Sequence, residues 1–161
     1  MRLFIAIQLS DQMNKSLIQC MHDLKKQGVT GNYIPAQNLH MTLAFIGEYD
    51  EPEKVKSVIH NIPLPKFRLS LSHTGMFGNI LWAGVKGNQK LKTYVKELQA
   101  ALTANGIPCD RKKFVPHITL IRKVSAKNTY QIHMPKASMT VEKVSLMKSE
   151  RRNGKIVYTE L

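Results

Sequence analysis

Apolar residues recur along this chain at two periods, and the switches between them mark its elements. Leu3, Ile5 and Ile7 alternate through Arg2 to Leu9, the pattern of a strand. Ser10 is then placed to cap a helix in which Met13, Leu17, Cys20, Met21 and Leu24 share one face, with Gly28 as its stop. A polar, Pro-containing connection over 33–38 leads into the β-forming run LHMTLAFIG, which ends at Gly47. Asp50 reads as the N-cap of a second helix, with Pro52 near its first position, Glu53 at capping-box distance, and Val55, Val58, Ile59 and Ile62 on its apolar face.

The second half repeats the style. Lys66 to Ser72 alternates on Phe67, Leu69 and Leu71, and Gly78-Asn79 turns the chain into a strand from Ile80 to Val85. Asn88 is the expected cap of a third helix, with Leu91, Tyr94, Val95, Leu98, Ala101 and Leu102 as its buried stripe and Gly106 as its stop. The run FVPHITLI is the next strand, and the polar stretch from Ser125 to Tyr130 reads as one or two helical turns. Ser138 to Lys148 reads as one strand whose apolar phase slips near Glu142-Lys143, as at a bulge. Asn153-Gly154 is a strong hairpin signal before the last strand, from Lys155 to Leu161. Three long helices among many strands and hairpins predict an α+β fold with mostly antiparallel sheet.

At 161 residues the chain fits one domain, 1–161, made of two similar lobes. No apolar run approaches membrane-spanning length, and the opening MRLFIAI is too short for a signal peptide. Cys20 and Cys109 are far apart and show no C-x-x-C spacing, so reduced thiols in a cytoplasm are expected. Nothing in the pattern demands more than a monomer. The net charge of +13, from 24 Lys and Arg against 11 Asp and Glu, points to a polyanionic partner, nucleic acid first. The densest patch, Arg111-Lys112-Lys113, runs into the strand FVPHITLI, and Arg122-Lys123 follows it.

Within the two β-forming runs one pattern occurs twice: His40-Met41-Thr42-Leu43 and His117-Ile118-Thr119-Leu120. By composition, one His-x-Thr-Leu is expected in about one such chain in thirty, and two in on the order of one in two thousand. In a strand each His shares a face with its own Thr. Two such strands facing one groove present two imidazoles, one able to accept a proton while the other donates one, and two hydroxyls to hold anionic oxygens. That set suits in-line displacement at phosphorus. A zinc site is disfavoured because the motifs supply only two His, without Cys or Asp at ligand spacing. There is neither a nucleophile elbow nor a Gly-rich phosphate loop. The bland reading is of two core histidines, each bonded to its Thr; the duplication beside a basic patch argues against it. His22 and His60 lie off apolar faces and His73 and His133 in connections, and all four are left out of the site. Trp82 and Phe77 could stack on a base, but are read as core and left out of the site.

The segments NLHMTLAFIGE and FVPHITLIR, with the opening RLFIAIQL, resemble the two-histidine (2H) phosphoesterase superfamily, in particular the bacterial and archaeal RNA 2',3'-cyclic phosphodiesterases once named 2'-5' RNA ligases. The resemblance covers essentially the whole chain. It implies a bilobal, pseudo-two-fold arrangement of two antiparallel sheets flanked by helices, with the motif strands lining a central cleft. It also implies metal-independent, cofactor-free hydrolysis of RNA 2',3'-cyclic phosphate ends to 2'-phosphomonoesters, with His40 as proton donor and His117 as proton acceptor. Thr42, Thr119 and Arg122 are implied as phosphate-binding residues. Where many relatives carry a Trp before the first motif, this chain has Tyr33. Reversible 2'-5' ligation and hydrolysis of small cyclic nucleotides are alternative uses of the same site, and a non-catalytic RNA-binding module is the alternative of another class.

Overall fold

The apolar stripes settle where the helices pack. A computed structural model describes residues 1–86 and 89–161. In helix α1 (Asp11–Lys26) the buried residues are Met13, Leu17, Cys20, Met21 and Leu24, the stripe read from the sequence. The Ser10 hydroxyl caps it, accepting a hydrogen bond from the Met13 N–H at 3.2 Å. Helix α2 (Pro52–Asn61) buries Val55 and Val58, but Asp50 is not its cap: Glu51 precedes the helix, and no side chain bonds its first turn. Instead Asp50 accepts a hydrogen bond from the Met1 ammonium at 3.3 Å, a charged partner brought close by the pairing of Arg2 with Glu48. Helix α3 (Gln89–Ala104) buries Leu91, Tyr94, Val95, Leu98 and Leu102, while its expected cap, Asn88, lies outside the described residues.

The described strands form two sheets in which every pairing is antiparallel. They are β1 (Arg2–Gln8), β2 (Thr30–Tyr33), β3 (His40–Glu48), β4 (Phe67–Phe77), β5 (Ile80–Val85), β6 (His117–Ser125), β7 (Ser138–Val141), β8 (Ser145–Arg152) and β9 (Lys155–Glu160). One sheet has the order β3-β1-β8-β9, the other β2-β6-β5-β4-β7. The architecture is therefore α+β, two antiparallel sheets flanked by helices around a central cleft.

Neither sheet is a contiguous half of the chain. Strand β2, from the N-terminal part, edges the second sheet, and the C-terminal hairpin β8–β9 completes the first. Three sequence expectations fail where the chain makes these exchanges. The residues of β2, Thr-Gly-Asn-Tyr, were expected in part to belong to a connection and show no apolar alternation, since an exposed edge strand held by backbone bonds needs none. The phase slip near Glu142-Lys143 is not a bulge but the crossing from β7 in one sheet to β8 in the other. No helix forms over 125–130; β6 ends at Ser125 and an irregular segment follows. Strand β4 also runs on to Phe77, so His73 lies within a strand and not in a connection.

Burial explains the unbroken apolar run of β1. Leu3, Ile5 and Ile7 join the large core shared with the helices, whereas Phe4 and Ala6 form a second cluster with Met147, Phe45 and Tyr158 on the opposite face. That opposite face is the one on which His40 lies, its ring 5.0 Å from that of Phe4.

Candidate active site

Both motifs sit on strands, β3 and β6, which belong to different sheets and lie against one another. Alternation turns His40 and Thr42 to the cleft while Met41 and Leu43 enter the core; His117 and Thr119 do the same against Ile118 and Leu120. At the fourth motif position both strands bulge. Ala6 and Ile5 pair with Thr42 and Ala44, skipping Leu43; Trp82 and Leu81 pair with Thr119 and Ile121, skipping Leu120. The extra residue inverts the phase. Two consecutive residues are buried after each Thr, and the cleft face resumes at Phe45 on β3 and Arg122 on β6. Without the bulge, Arg122, five residues from His117, would point away from it. Lys123 follows with a left-handed φ of +54°, and Gly31 of β2 opposes it, where a Cβ would lie 2.8 Å from the Arg122 carbonyl.

One device orients both imidazoles. His40 Nδ1 lies 2.7 Å from the Asn38 carbonyl and His117 Nδ1 lies 2.7 Å from the Val115 carbonyl, each two residues upstream. A carbonyl only accepts, so Nδ1 carries the proton in both rings and Nε2 is left for chemistry. Asn38 is itself buried and held, its amide donating to the Ile156 carbonyl at 3.1 Å. His40 Nε2 also meets Thr42 Oγ1 at 2.8 Å, so the bond to its own Thr foreseen by the bland reading does exist. Burial holds the His40 pKa below its ordinary value near 6.5, the Asn38 carbonyl raises it, and Arg122 and His117 lower it further. Arg122 and His117 thus lie near enough to His40 for their charges to act on it.

Aromatic rings flank each imidazole. His40 has Phe4 at 5.0 Å and the edge of Tyr158 at 5.2 Å; His117 has the edge of Phe77 at 5.1 Å and Trp82 at 5.8 Å. Trp82 is buried as expected but on the cleft face, outside the main core, and Phe77 is 42% exposed. Sequence reasoning missed Phe4, Tyr158 and Asn38, and it set Phe77 and Trp82 aside. Strand parity is the signal that could have found Phe4, since Leu3, Ile5 and Ile7 already claim the core.

Other residues fall away from the motif histidines. Tyr33 is tied into β2, its hydroxyl donating to the Val29 carbonyl at 2.6 Å and its ring lying 5.0 Å from the Lys25 ammonium. His22, His60 and His133 are exposed. Arg111, Lys112 and Lys113 lie on an exposed loop anchored to β3 by the Asp110 N–H donating to the Phe45 carbonyl. An open hollow of about 510 Å³ between α3 and residues 109–111 contains Lys96 and Arg111 but no imidazole, so it lies apart from the two motif histidines. Cys20 and Cys109 are free thiols, and among the described residues no three His, Cys, Asp or Glu side chains gather as metal ligands would. Among those residues, no helix is long and apolar enough to cross a membrane.

Comparison with known proteins agrees with this geometry. The model of the 2'-5' RNA ligase superfamily matches residues 16–153. An RNA 2',3'-cyclic phosphodiesterase of Thermotoga maritima is 30% identical over 76% of this chain and 70% of its own length. The Escherichia coli protein of the same name is 30% identical over 99% of this chain and 93% of its own. A crystal structure of E. coli LigT complexed with 3'-AMP superposes with a TM-score of 0.87 at 29% identity, covering 99% of this chain and 94% of that one. The chain belongs to the 2'-5' RNA ligase superfamily.

Proposed function

From that membership we propose that the protein hydrolyses RNA 2',3'-cyclic phosphate ends to 2'-phosphomonoesters, without a metal ion. The observation that carries this reading is the matched pair of imidazoles, each with Nδ1–H held by the carbonyl two residues upstream and Nε2 turned to chemistry. His117 accepts the proton of the attacking water and His40 donates one to the departing 3' oxygen on the opposite side of phosphorus. Thr42, Thr119 and Arg122 hold the phosphoryl oxygens.

Burial and the charges of Arg122 and His117 push the His40 pKa down and favour its neutral form. An arriving phosphate anion offsets those charges and makes His40 an acid. Substrate therefore creates its own proton donor. The exposed basic residues strengthen the binding of a polyanion, and two free thiols suit a reducing compartment such as the cytoplasm.

The test is to incubate an oligoribonucleotide ending in 2',3'-cyclic phosphate with the protein in EDTA and to identify the product end. A 2'-phosphate is expected. A 3'-phosphate, or activity lost to the chelator, would overturn the mechanism; binding without turnover would leave an RNA-binding module.

A further inference from the structure

A ribose that carries a 2',3'-cyclic phosphate is joined to the rest of its RNA through its 5' oxygen. Because His40 protonates the departing O3' of that ribose, the chain behind it leaves the cleft on the β3 side. Two features found there take no part in hydrolysis. Past the bulge, Phe45 packs against Phe4, Ala6 and Met147, and the Arg2 guanidinium lies 4.9 Å above its ring. No carboxylate pairs with Arg2 among the described residues, since Glu48, opposite it in the sheet, is 3.2 Å from the Met1 ammonium. Farther out, the free edge of β3 is fastened to the hollow beside α3. The Phe45 carbonyl accepts a hydrogen bond from the Asp110 N–H at 2.9 Å, and the Leu43 carbonyl one from the Gln99 amide at 3.4 Å. Ala100, Ala104 and Cys109 supply apolar lining to the hollow, and Lys96 and Arg111 supply charge. The nearest acid, Asp110, is taken by Lys112, its carboxylate 3.0 Å from that residue's N–H and 4.0 Å from its ammonium. A second hollow of about 360 Å³ shares Thr103, Cys109 and Arg111 with the first, so the two form one elongated trough.

We infer that this strip, from Arg2 and Phe45 along the outer edge of β3 to the trough, carries the RNA chain upstream of the cyclic phosphate as a single strand. The placement holds only with the hydrolysis of RNA 2',3'-cyclic phosphate ends proposed above. Cations without carboxylate partners suit phosphodiesters, which bring one negative charge with each nucleotide. The apolar lining receives bases by contact and not by hydrogen bonds to their edges, so the strip follows a chain of any sequence. Its elongation suits a strand, and a mononucleotide bound at the imidazoles reaches none of it. The terminal phosphate reacts whether or not the strip is filled. What the strip decides is which ends are captured: those on a single-stranded tail, ahead of free cyclic nucleotides.

The experiment compares kcat/KM on adenosine 2',3'-cyclic phosphate and on an octaadenylate ending in 2',3'-cyclic phosphate, across a series of salt concentrations. The double variant Lys96→Gln, Arg111→Gln is expected to lower the octamer value roughly tenfold at about 0.1 M salt and to leave the mononucleotide value unchanged. Its plot of log kcat/KM against log salt for the octamer should be shallower by about 1.4, or about 0.7 for each charge removed. Arg2→Gln should also lower the octamer value and spare the mononucleotide. A control, Lys15→Gln with Lys26→Gln, removes the same charge from exposed positions on α1 and should leave the octamer value near that of wild type. Equal loss in the control, equal loss on both substrates, or no loss on the octamer overturns the strip. So does a wild type that handles the two substrates equally well. No turnover of either substrate by wild type would overturn the hydrolytic reading first, and the strip with it.

Discussion

On β3 the imidazole of His40 is bonded at both nitrogens and half-buried against Phe4 and Tyr158; on β6 that of His117 is bonded at Nδ1 alone among the described residues, beside the exposed Phe77. The strands otherwise match, with a bulge at the same motif position in each. After the bulge the cleft receives Phe45 on one strand and Arg122 on the other. On the β3 side a guanidinium is still present, but it is that of Arg2, stacked 4.9 Å above the Phe45 ring. The repeated motif thus sets where each imidazole sits and which nitrogen it offers. Its surroundings, which are not repeated, hold the His40 pKa below its ordinary value.

The largest effects should come from the imidazoles themselves. His40→Ala and His117→Ala are each expected to lower turnover by about 10²–10⁴-fold while RNA affinity changes only a few-fold. A p-nitrophenyl phosphodiester, whose leaving group needs no proton, should recover activity in His40→Ala and not in His117→Ala. Recovery in His117→Ala alone would show the roles to be reversed.

Arg122→Ala comes next, with a loss of roughly 10- to 100-fold in kcat/KM from one charge-assisted phosphate contact. Because Arg122 lowers the His40 pKa, the same variant should titrate at a higher His40 pKa by NMR, and a bound nucleoside 2'-phosphate should raise it in wild type. An unmoved titration would place Arg122 too far from His40 for its charge to act there.

A smaller, structural effect tests the floor of the β6 side. Gly84→Ala would drive a Cβ into the His73 ring, and overpacking of this kind costs about 1–3 kcal/mol, readable as a lowered Tm. An unchanged Tm would mean that the ring swings clear.

The smallest effect is on stability against pH. His40 has a folded pKa below 6.5, so on acidification the unfolded chain takes up its proton first. Its contribution is complete above 6.5 and is lost as pH falls through the folded value. Urea midpoints of wild type should therefore drop faster than those of His40→Gln as pH falls below neutrality; parallel curves would contradict the burial of this ring.

Along the chain, periodicity and punctuation alone determined the three helices and their buried faces, the Asn153-Gly154 turn and the two strands that bear His-x-Thr-Leu. These are local properties: a residue spacing of two or of three to four declares a face wherever the rest of the chain goes. Tertiary structure decided what depends on a partner. Which sheet β2 and β8 join, where Leu43 and Leu120 are skipped so that Phe45 and Arg122 return to the cleft, and which rings stand beside each histidine are properties of pairs of strands. The slip between Val141 and Val144 was visible in the sequence, but a bulge and a change of sheet shift an apolar phase in the same way, and only the neighbouring strand tells them apart.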